Sequence, residues 1–497
     1  MTVAGVPLSG LLAGIANVTH DAVFADLTQD SRAVRPGSLF LACQGGRSHG
    51  LQYLQVALER GAAGVIWEPA PGIKPPALPL SVVGMAVPQL SAVAGQIAGR
   101  FFGAPSAALA ITGITGTNGK TTCAWLLAQA LTASGRESGY VGTLGVGLRG
   151  RLAGGELTTA DAVTVHRQLA QLRVAGASCV AMEVSSHALD QQRVAGVRFK
   201  VAAFTNLTRD HLDYHGDMEQ YGAAKGRLFQ WPGLEWRVIN IDDEFGMRLH
   251  SLRPAAGRLF ATSRSNARLA AADAWLAAKS CTLGPHGIEL TVASSFGSAD
   301  LSVPLLGAFN VDNVLTVLAC LLALDVALPD AARVLADAQP PSGRMQSFGG
   351  GSQPLVLVDY AHTPDALEKA LLAVRAHCRG TVQVVFGCGG DRDRGKRPLM
   401  GSAAAEHADR CWLTNDNPRT ENPADIVADI QRGMPRNANF LVELDRARAI
   451  HGAIAAARAG DAVLVAGKGH EDYQIFGAQR QHFSDQSVVR AALGILS

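Results

Sequence analysis

The stretch Gly116–Thr122, with the sequence Gly-Thr-Asn-Gly-Lys-Thr-Thr, constrains the fold more than any other part of the chain. The apolar run 107–112 before it predicts a buried strand, and residues 123–132 after it predict a helix. A strand, a glycine turn and a helix start form the setting of a phosphate-binding loop, in which backbone N–H groups and the helix N-terminus face an anion. Lys120 adds a mobile positive charge, and the hydroxyl of Thr121 is placed to bind Mg²⁺. The strict pattern G-x-x-x-x-G-K-[ST] is not met, because isoleucine stands where the pattern requires its first glycine.

Composition narrows the class of protein. A chain of 497 residues should hold two to four domains, and 48% hydrophobic against 17% charged residues allows large cores. A net charge of +2 argues against a dedicated nucleic-acid-binding or membrane-surface protein. The longest apolar run is too short to span a bilayer, and we expect no signal peptide. The eight cysteines show no C-x-x-C spacing, so neither a zinc site nor a disulfide framework is indicated, and we expect a soluble enzyme of a reducing compartment.

Polar residues follow two further predicted strands in the middle of the chain. Residues 179–182 predict a buried strand that ends at Glu183, and a carboxylate beside a phosphate loop is well placed to hold Mg²⁺. The strand pattern 201–206 leads into 208–215, whose His and Asp residues could ligate a metal, bind an anion or cap a turn. Lys225 lies on a predicted helix, where local reasoning favours a solvated charge.

Three α/β domains are predicted from the remaining patterns. Residues 255–305 predict an antiparallel appendage, and the apolar run 314–324 predicts a buried helix, with Asn310 before it as a candidate helix cap. Proline and glycine in 340–344 mark a domain junction. The predicted domains are a small α/β domain (1–100), a central P-loop ATPase domain with a parallel sheet (101–340) and a C-terminal, Rossmann-like doubly wound domain (341–497).

The third domain alternates strand and helix patterns, which predicts a mostly parallel, doubly wound sheet. Its strands are predicted at 355–359, 382–386, 411–414, 440–443 and 462–466. Polar clusters follow four of these strands, and ligands of such sheets bind at that edge, so we expect a second binding surface there. The run 387–390 lacks the third glycine of a dinucleotide fingerprint, since Arg392 stands there, and a nicotinamide or flavin site is disfavoured.

Six motifs, taken together, resemble the Mur ligase family, the ATP-dependent amide ligases of bacterial cell-wall precursor synthesis. The motifs are Thr115–Thr121, Met182–His187, Asn206–His215, Asp359–Pro364, Asp416–Arg419 and Gly467–Glu471. The phosphate loop alone identifies only the superfamily, whereas the combination is highly specific and covers the whole chain in the same three-domain order. The first domain is then expected to bind a UDP-linked substrate and the third an amino acid.

The resemblance implies a role for each residue that matches a family motif. Nucleotide binding is implied for Gly116, Thr117, Asn118, Gly119, Lys120, Thr121, Thr122, Asn310, Arg344 and Asp359. Contacts to a UDP-muramoyl-dipeptide are implied for Gln29, Ser31, Gly46, Arg47, Ser48, Thr158, Thr159, Ser185, Gln191 and Arg193. Amino-acid binding is implied for Arg392, Asp416, Asn417, Pro418, Arg419, Gly467 and Glu471. Mg²⁺ ligation is implied for Thr121, Glu183, His211 and Lys225, the last as a carbamate (N6-carboxylysine) formed with CO₂. Lys120, Lys225 and His211 are the expected catalytic residues.

The family chemistry implies the substrates. ATP converts the D-glutamate γ-carboxylate of UDP-N-acetylmuramoyl-L-alanyl-D-glutamate to an acyl phosphate, which the amine of an added amino acid attacks. The Asp-Asn-Pro-Arg segment that ends at Arg419 resembles the family signature for meso-diaminopimelate, whose distal carboxylate a guanidinium can bind in a bidentate pair. ATP and Mg²⁺ are the implied cofactors, and a cytoplasmic monomer without nucleic-acid partners or a membrane span is expected.

Three other functions are carried as alternatives. A sibling ligase would add lysine, or would extend folate with glutamate, and the Arg419 signature argues against both. A nucleotide-gated binding protein would hydrolyse ATP only as a switch. A P-loop kinase would release a stable phosphorylated product without forming an amide.

Overall fold

The structure is a computed structural model that describes residues 5–46, 48–154, 157–252, 257–265, 271–284 and 287–495. As far as they are described, the residues form two compact units. The first unit comprises Met1–Thr262, Leu269–Trp275 and Ala319–Val326, and the second comprises Ser263–Arg268, Leu276–Leu318 and Ala327–Ser497. None of the helices in the described ranges is both long enough and apolar enough to cross a membrane.

The N-terminal part of the first unit is a small α/β layer. Its elements are β1 (Val6–Pro7), α1 (Leu8–Leu12), β2 (Val23–Phe24), β3 (Asp26–Thr28), β4 (Ser38–Ala42), α2 (Leu54–Glu59), β5 (Ala62–Trp67), β6 (Val83–Ala86) and α3 (Leu90–Phe101). Strands β3 to β6 pair in parallel in that order, and Leu11 and Ile97 bury the helices against them. Parallel strands present their carboxyl ends at one edge. The loops after β3 and β4, which carry Gln29 and Gly46, therefore lie together.

A larger sheet follows in the same unit. Its elements are β7 (Ala110–Thr115), α4 (Lys120–Ala133), β8 (Ser138–Gly142), β9 (Gly145–Leu148), β10 (Arg151–Ala153), α5 (Ala162–Val174), β11 (Cys179–Glu183), α6 (Ser186–Asp190), β12 (Val201–Phe204), α7 (Leu212–His215), α8 (Met218–Gly226), β13 (Trp236–Asn240), α9 (Glu244–Ser251) and β14 (Arg258–Ser263). The strand order is β10-β9-β8-β11-β7-β12-β13-β14, parallel from β8 to β14. The phosphate loop follows the central strand β7, so the ends of β11 and β12 flank it on either side.

The predicted antiparallel appendage is partly wrong. Strand β14 pairs in parallel with β13, because helix α9 returns the chain to the same end of the sheet. Among the described residues of this predicted appendage, only β15 (Ala274–Gly284), β16 (Gly287–Ser294) and β17 (Gly297–Val303) pair antiparallel. The predicted apolar helix forms as α10 (Phe309–Ala323), which begins five residues before the predicted run, and α11 (Leu328–Ala336) follows it.

The C-terminal part of the second unit confirms the predicted doubly wound sheet. Its elements are β18 (Gln346–Gly349), β19 (Leu355–Asp359), α12 (Pro364–His377), β20 (Val382–Phe386), α13 (Lys396–His407), β21 (Arg410–Leu413), α14 (Pro423–Gln431), β22 (Phe440–Val442), α15 (Arg446–Ala456), β23 (Ala462–Ala466), β24 (Tyr473–Phe476), β25 (Gln479–His482) and α16 (Asp485–Ala492). The strand order is β18-β19-β23-β20-β21-β22, and all pairs except β18–β19 are parallel. Leu464 packs in one apolar cluster and its neighbours Val463 and Val465 in another, because successive side chains of a strand point to opposite faces.

Candidate functional site

The phosphate loop of the first unit has the conformation that its glycines allow. Gly116 and Gly119 have φ angles of 150° and 84°, and a Cβ atom on Gly116 would lie 1.9 Å from Oγ1 of Thr205. Lys120 begins helix α4, and its Nζ donates to the carbonyl oxygens of Gly116 and Thr117 at 2.8 Å each. The ammonium of Lys120 is therefore held by the backbone of the loop itself. It lies at the N-terminus of a 14-residue helix, whose dipole adds positive charge there.

The end of strand β12 braces the loop. The backbone N–H of Asn118 donates to Oδ1 of Asn206 at 2.9 Å, and the hydroxyl of Thr205 donates to the carbonyl of Asn118 at 2.6 Å. The N–H of Thr117 donates to the carbonyl of Asn206 at 2.8 Å. These bonds fix the loop backbone without using the charged group of Lys120.

Glu183, at the end of β11, is fully buried and surrounded by donors. Its carboxylate accepts hydrogen bonds from the hydroxyls of Thr121 at 2.9 Å and Tyr140 at 2.5 Å, and from the N–H of Thr143 at 2.9 Å. A Cβ atom on Gly142 would lie 2.2 Å from its Oε1, so only glycine fits beside this carboxylate. Two of the four predicted Mg²⁺ ligands, Thr121 and Glu183, are thus in direct contact.

Lys225 is buried, with 1% of its surface exposed, so the local interpretation as a solvated charge is wrong. Its Nζ donates to the carbonyl of Gly116 at 2.7 Å and lies 4.5 Å from the ring centre of Tyr221. Burial, followed by the nearby charge of Lys120, lowers the pKa of Lys225 well below 10.5. The two lysine amines thus converge on one carbonyl of the phosphate loop.

His211 has a left-handed backbone, with a φ angle of 53°, directly before helix α7. Its Nε2 lies 3.5 Å from Oδ2 of Asp210, and its ring centre lies 4.8 Å from that of His187. Burial, followed by the neighbouring histidines, lowers the pKa of His187 to about 4. Across the described ranges, no three His, Cys, Asp or Glu side chains are grouped to hold a metal ion by themselves.

A cleft of about 750 Å³ lies beside these groups in the first unit. Six predicted substrate contacts line it, namely Gln29, Gly46, Ser48, Thr158, Gln191 and Arg193. Ser31, Thr159 and Ser185 stand outside the lining, and Arg47 lies outside the described residues. The loops after β3 and β4 form one wall of the cleft, as their shared sheet edge requires.

Hydrogen bonds connect the cleft to Glu183. The hydroxyl of Thr159 donates to the carbonyl of Glu183 at 2.9 Å and accepts from the N–H of Ser185 at 3.2 Å. Arg193 donates from Nη1 to the carbonyl of Thr159 at 2.9 Å and from Nη2 to Oε1 of Gln191 at 2.6 Å. Thr159 and Ser185 are therefore joined to the residues that line the cleft.

Two of the three predicted nucleotide contacts of the second unit are hydrogen-bonded to nearby backbone groups. The amide of Asn310, inside α10 and not at its cap, donates to the carbonyl of Leu306 at 2.7 Å. The carboxylate of Asp359 accepts from the N–H groups of Met345 at 2.7 Å and Ala361 at 2.9 Å, and burial raises its pKa. Arg344 places its guanidinium 4.7 Å from the ring centre of Tyr360, and its buried Nε has no hydrogen-bond partner among the described residues.

The strand ends of the second unit bring the predicted amino-acid-binding residues together. The amide of Asn417 donates to Oε2 of Glu471 at 3.1 Å, and the buried ammonium of Lys468 donates to the same oxygen at 2.9 Å and to Oδ1 of Asn417 at 3.2 Å. Asp416 lies 4.0 Å from that ammonium, and a Cβ atom on Gly467 would lie 2.8 Å from Oδ2 of Asp416. The group is a compact cluster of two carboxylates and one ammonium.

Arg419 borders this cluster in an unusual backbone conformation, with a φ angle of 51°. Its Nη1 donates to the carbonyls of Gly390 at 2.8 Å and Asn417 at 3.4 Å, and these are its only side-chain hydrogen bonds to the described residues. A Cβ atom on Gly389 would lie 3.0 Å from Nη1 of Arg419 and 3.6 Å from Cγ of Arg392. The two predicted arginines therefore both lie close to the space that a side chain at position 389 would fill.

Several residues of these clusters were not predicted from the sequence. Tyr140 and Thr143 hold Glu183, Tyr221 lies beside Lys225, and Lys468 holds Asn417 and Glu471. Of these residues, only Lys468 could have been found from the sequence, because it lies inside the motif that ends at Glu471.

Comparison with known proteins identifies relatives that match most of the chain. Family models match residues 24–102 ("Mur ligase family, catalytic domain"), 114–321 ("Mur ligase middle domain") and 343–469 ("Mur ligase, glutamate ligase domain"). The chain is 50% identical to the UDP-N-acetylmuramoyl-L-alanyl-D-glutamate–2,6-diaminopimelate ligase of Alkalilimnicola ehrlichii, covering 94% of each chain. It is also 50% identical to the enzyme of that name from Xanthomonas campestris, covering 98% of this chain and 97% of the other. A solved structure of a ligase of the same name is 33% identical, with 99% of each chain covered and a TM-score of 0.71.

Proposed function

The chain belongs to the Mur ligase family, and we propose that it is the ATP-dependent ligase that joins meso-2,6-diaminopimelate to the D-glutamate γ-carboxylate of UDP-N-acetylmuramoyl-L-alanyl-D-glutamate. The reaction serves peptidoglycan precursor synthesis. One observation supports the choice of amino acid. At the strand ends of the second unit, an arginine that uses only one of its terminal nitrogens in hydrogen bonds to the described residues lies beside a cluster of carboxylates.

Arg419 supplies the carboxylate-binding half of that pair. Its Nη1 is engaged by backbone carbonyls, whereas Nε and Nη2 make no hydrogen bond to the described residues. Those two N–H groups point in parallel and match the two oxygens of a carboxylate. Lysine has no distal carboxylate, so a lysine substrate would leave this edge of Arg419 unpaired.

Glu471 and Asp416 supply the ammonium-binding half. Only Oε2 of Glu471 is engaged, by Lys468 and Asn417, and Oε1 makes no hydrogen bond to the described residues. An amino acid carries an ammonium and a carboxylate on one carbon, and an arginine beside a carboxylate complements both charges. The same two groups are present at each end of diaminopimelate.

The phosphate loop supplies the activation step. A carboxylate is a poor acyl donor, and transfer of the γ-phosphoryl group of ATP to it gives an acyl phosphate that the amine attacks with release of phosphate. ATP and the carboxylate are both anions, so Lys120 and the N-terminus of α4 lower the electrostatic barrier to their approach. The cleft beside the loop takes the UDP-muramoyl-dipeptide through Gln29, Ser48 and Arg193.

Mg²⁺ fits the residues beside the loop. Mg²⁺ keeps several waters and binds through one or two carboxylates together with substrate phosphates, so it needs no cluster of three protein carboxylates. The contact between Thr121 and the buried carboxylate of Glu183 is the observation that fits such a site, and His211 is proposed as a further ligand. When bound, Mg²⁺ supplies positive charge to the phosphates.

Lys225 is proposed as a carbamate. Its neutral amine adds to the carbon of CO₂ and loses one proton, which replaces a cation with a carboxylate-bearing side chain. Burial lowers the pKa of Lys225, which raises the fraction of the reactive neutral amine, and its position on the carbonyl of Gly116 puts the product beside the phosphate loop. The carbamate is the fourth proposed Mg²⁺ ligand.

We assign the three predicted domains these roles: residues 1–100 bind the UDP end of the substrate, 101–340 bind ATP, and 341–497 bind the amino acid. The enzyme is proposed to act as a monomer in the cytoplasm. Light scattering at micromolar concentration tests the oligomeric state, and a dimer mass would contradict it.

The test of the proposed function is phosphate release from ATP with the UDP-muramoyl-dipeptide and meso-diaminopimelate, L-lysine or no amino acid in parallel. We expect release only with diaminopimelate, and a product whose mass equals the two substrates less one water. Equal turnover of lysine would leave a ligase of another specificity. Release without any amino acid would favour the ATPase switch, and a stable phosphorylated product would favour a kinase.

A further inference from the structure

A fully buried ion pair lies beneath the amino-acid-binding strand ends of the second unit. Arg446 is the first residue of α15 and Asp485 the first residue of α16, and neither side chain is exposed. The guanidinium donates from Nε and Nη2 to the two carboxylate oxygens of Asp485, at 2.7 Å each. This bidentate pair fixes the orientation of the guanidinium.

The same guanidinium also binds two strand ends. Its Nη1 donates to the carbonyl of Asn415 at 3.2 Å, and its Nη2 donates to the carbonyl of Ala466 at 2.9 Å. Asn415 immediately precedes Asp416, and Ala466 immediately precedes Gly467. Two segments form the carboxylate cluster, and Arg446 therefore donates a hydrogen bond to the backbone carbonyl one residue before each of them.

Backbone pairing joins these two ends only indirectly, through the strand that lies between them. Strand β20 lies between β21 and β23 in the sheet, so no ladder hydrogen bond joins β21 to β23. Each end departs from the sheet into its own loop after its last paired residue. Arg446 contacts the carbonyls at both ends at once, in addition to the hydrogen bonds by which Lys468 and Asn417 join the two loops.

We infer that Arg446, oriented by Asp485, is a positioning residue for the amino-acid substrate: it sets the separation between Asp416–Asn417 and Gly467–Glu471. The inference rests on the proposed function of this site. A positioning role explains why two charges are buried here, since a buried ion pair is in general no better for stability than apolar side chains of the same volume. Burial opposes the charge of the Arg446 guanidinium, but Asp485, followed by the carboxylates of Asp416 and Glu471, raises its pKa.

The test compares Arg446→Lys with Ile450→Ala. Lysine keeps the charge but cannot contact Asp485 in two places and reach both carbonyls. Ile450 lies one helical turn later on α15 and is equally buried, so its truncation lowers stability without removing a hydrogen bond to either strand end. KM is measured for the amino acid, with ATP and the UDP-muramoyl-dipeptide saturating, and then for each of the other two substrates.

We expect Arg446→Lys to raise KM for the amino acid about ten- to hundredfold, because a small misplacement of binding groups has effects of that size. KM for the UDP-muramoyl-dipeptide should stay within about twofold, and Ile450→Ala should change neither constant by more than that. Asp485→Asn, which keeps Arg446 and one acceptor oxygen, should raise the same KM by less. It is the variant to use if Arg446→Lys does not fold.

An equal rise of KM in Arg446→Lys and Ile450→Ala would overturn the positioning role, as would an equal rise for all three substrates. These outcomes are distinct from a failure of the proposed function. That failure appears in the wild-type enzyme, as turnover that needs no amino acid. If the wild-type enzyme uses another amino acid, the KM for that amino acid is measured instead. The same comparison of variants then tests the inference.

Discussion

Substituting Arg419 by lysine tests the clamp for diaminopimelate most sharply. Arginine offers Nε and Nη2 as a parallel pair of donors, because the carbonyls of Gly390 and Asn417 occupy only Nη1. Lysine keeps the positive charge but presents it as a single ammonium. Neither side chain is β-branched, so the substitution leaves the cost of the left-handed backbone at this position nearly unchanged.

The expected magnitude follows from the lost contact. One charge-assisted hydrogen bond to the distal carboxylate is removed, which costs about 1.5–3 kcal/mol in a half-buried site. At roughly 1.4 kcal/mol for each factor of ten, kcat/KM for diaminopimelate should fall about 10- to 150-fold. L-Lysine has no distal carboxylate, so kcat/KM for lysine should change by less than about threefold.

The assay is phosphate release coupled to product analysis, with both amino acids and both enzymes, so that the four rates form a cycle between side chain and substrate. Arg432→Lys is the matched control, because that arginine is 74% exposed and its one ion pair within the described ranges is with Asp429. An equal fall for both amino acids would show that Arg419 acts on the fold or on the chemistry and not on the distal carboxylate. A change below about threefold with diaminopimelate would refute the clamp.

Three further predictions concern the carbamate, acid stability and the core. Lys225→Ala should abolish turnover, and added bicarbonate should not restore it because no amine is left at that position; near-normal turnover would contradict the carbamate. Hydrogen bonds from Arg397 lower the pKa of Glu421 from 4.5 to about 2, so this carboxylate stabilises the fold fully above pH 4.5 and loses that contribution as the pH falls towards 2. Urea midpoints between pH 6 and 3 should therefore fall less steeply in Glu421→Gln, and parallel curves would refute the assignment. Leu464→Ala should lower the free energy of unfolding by about 2–5 kcal/mol, because the side chain is fully buried in a central strand; a loss below about 1 kcal/mol in urea denaturation would contradict that packing.

The positions of strands could be predicted where each strand is a continuous apolar run bounded by turn residues. Strands β19, β20 and β23 form with the predicted bounds, because a buried parallel strand is an almost continuous apolar run. The direction of β14 was not predictable, since a strand that joins a parallel sheet and one that forms a hairpin have similar local sequences. Only the helix before it, α9, determines that the chain returns in parallel.

The candidate site was predictable where residues follow strands that share one sheet edge. Thr121 and Glu183 meet because β7 and β11 are neighbours and their carboxyl ends coincide. Tyr140 was not predictable, because its role depends on β8 lying beside β11. The burial of Lys225 was equally hidden, because the pattern of its own helix says nothing about the loop that packs on it.

At Arg419, the cost of a left-handed backbone opposes the proposed selectivity for diaminopimelate. A side chain at this φ angle costs on the order of 1 kcal/mol that glycine would not incur. Mutation to glycine would remove this cost, but it would also remove the hydrogen bonds from Nη1 to Gly390 and Asn417 and, with them, the proposed clamp. A directed-evolution experiment that selects for heat resistance alone would measure this balance, as the frequency with which glycine replaces arginine at residue 419.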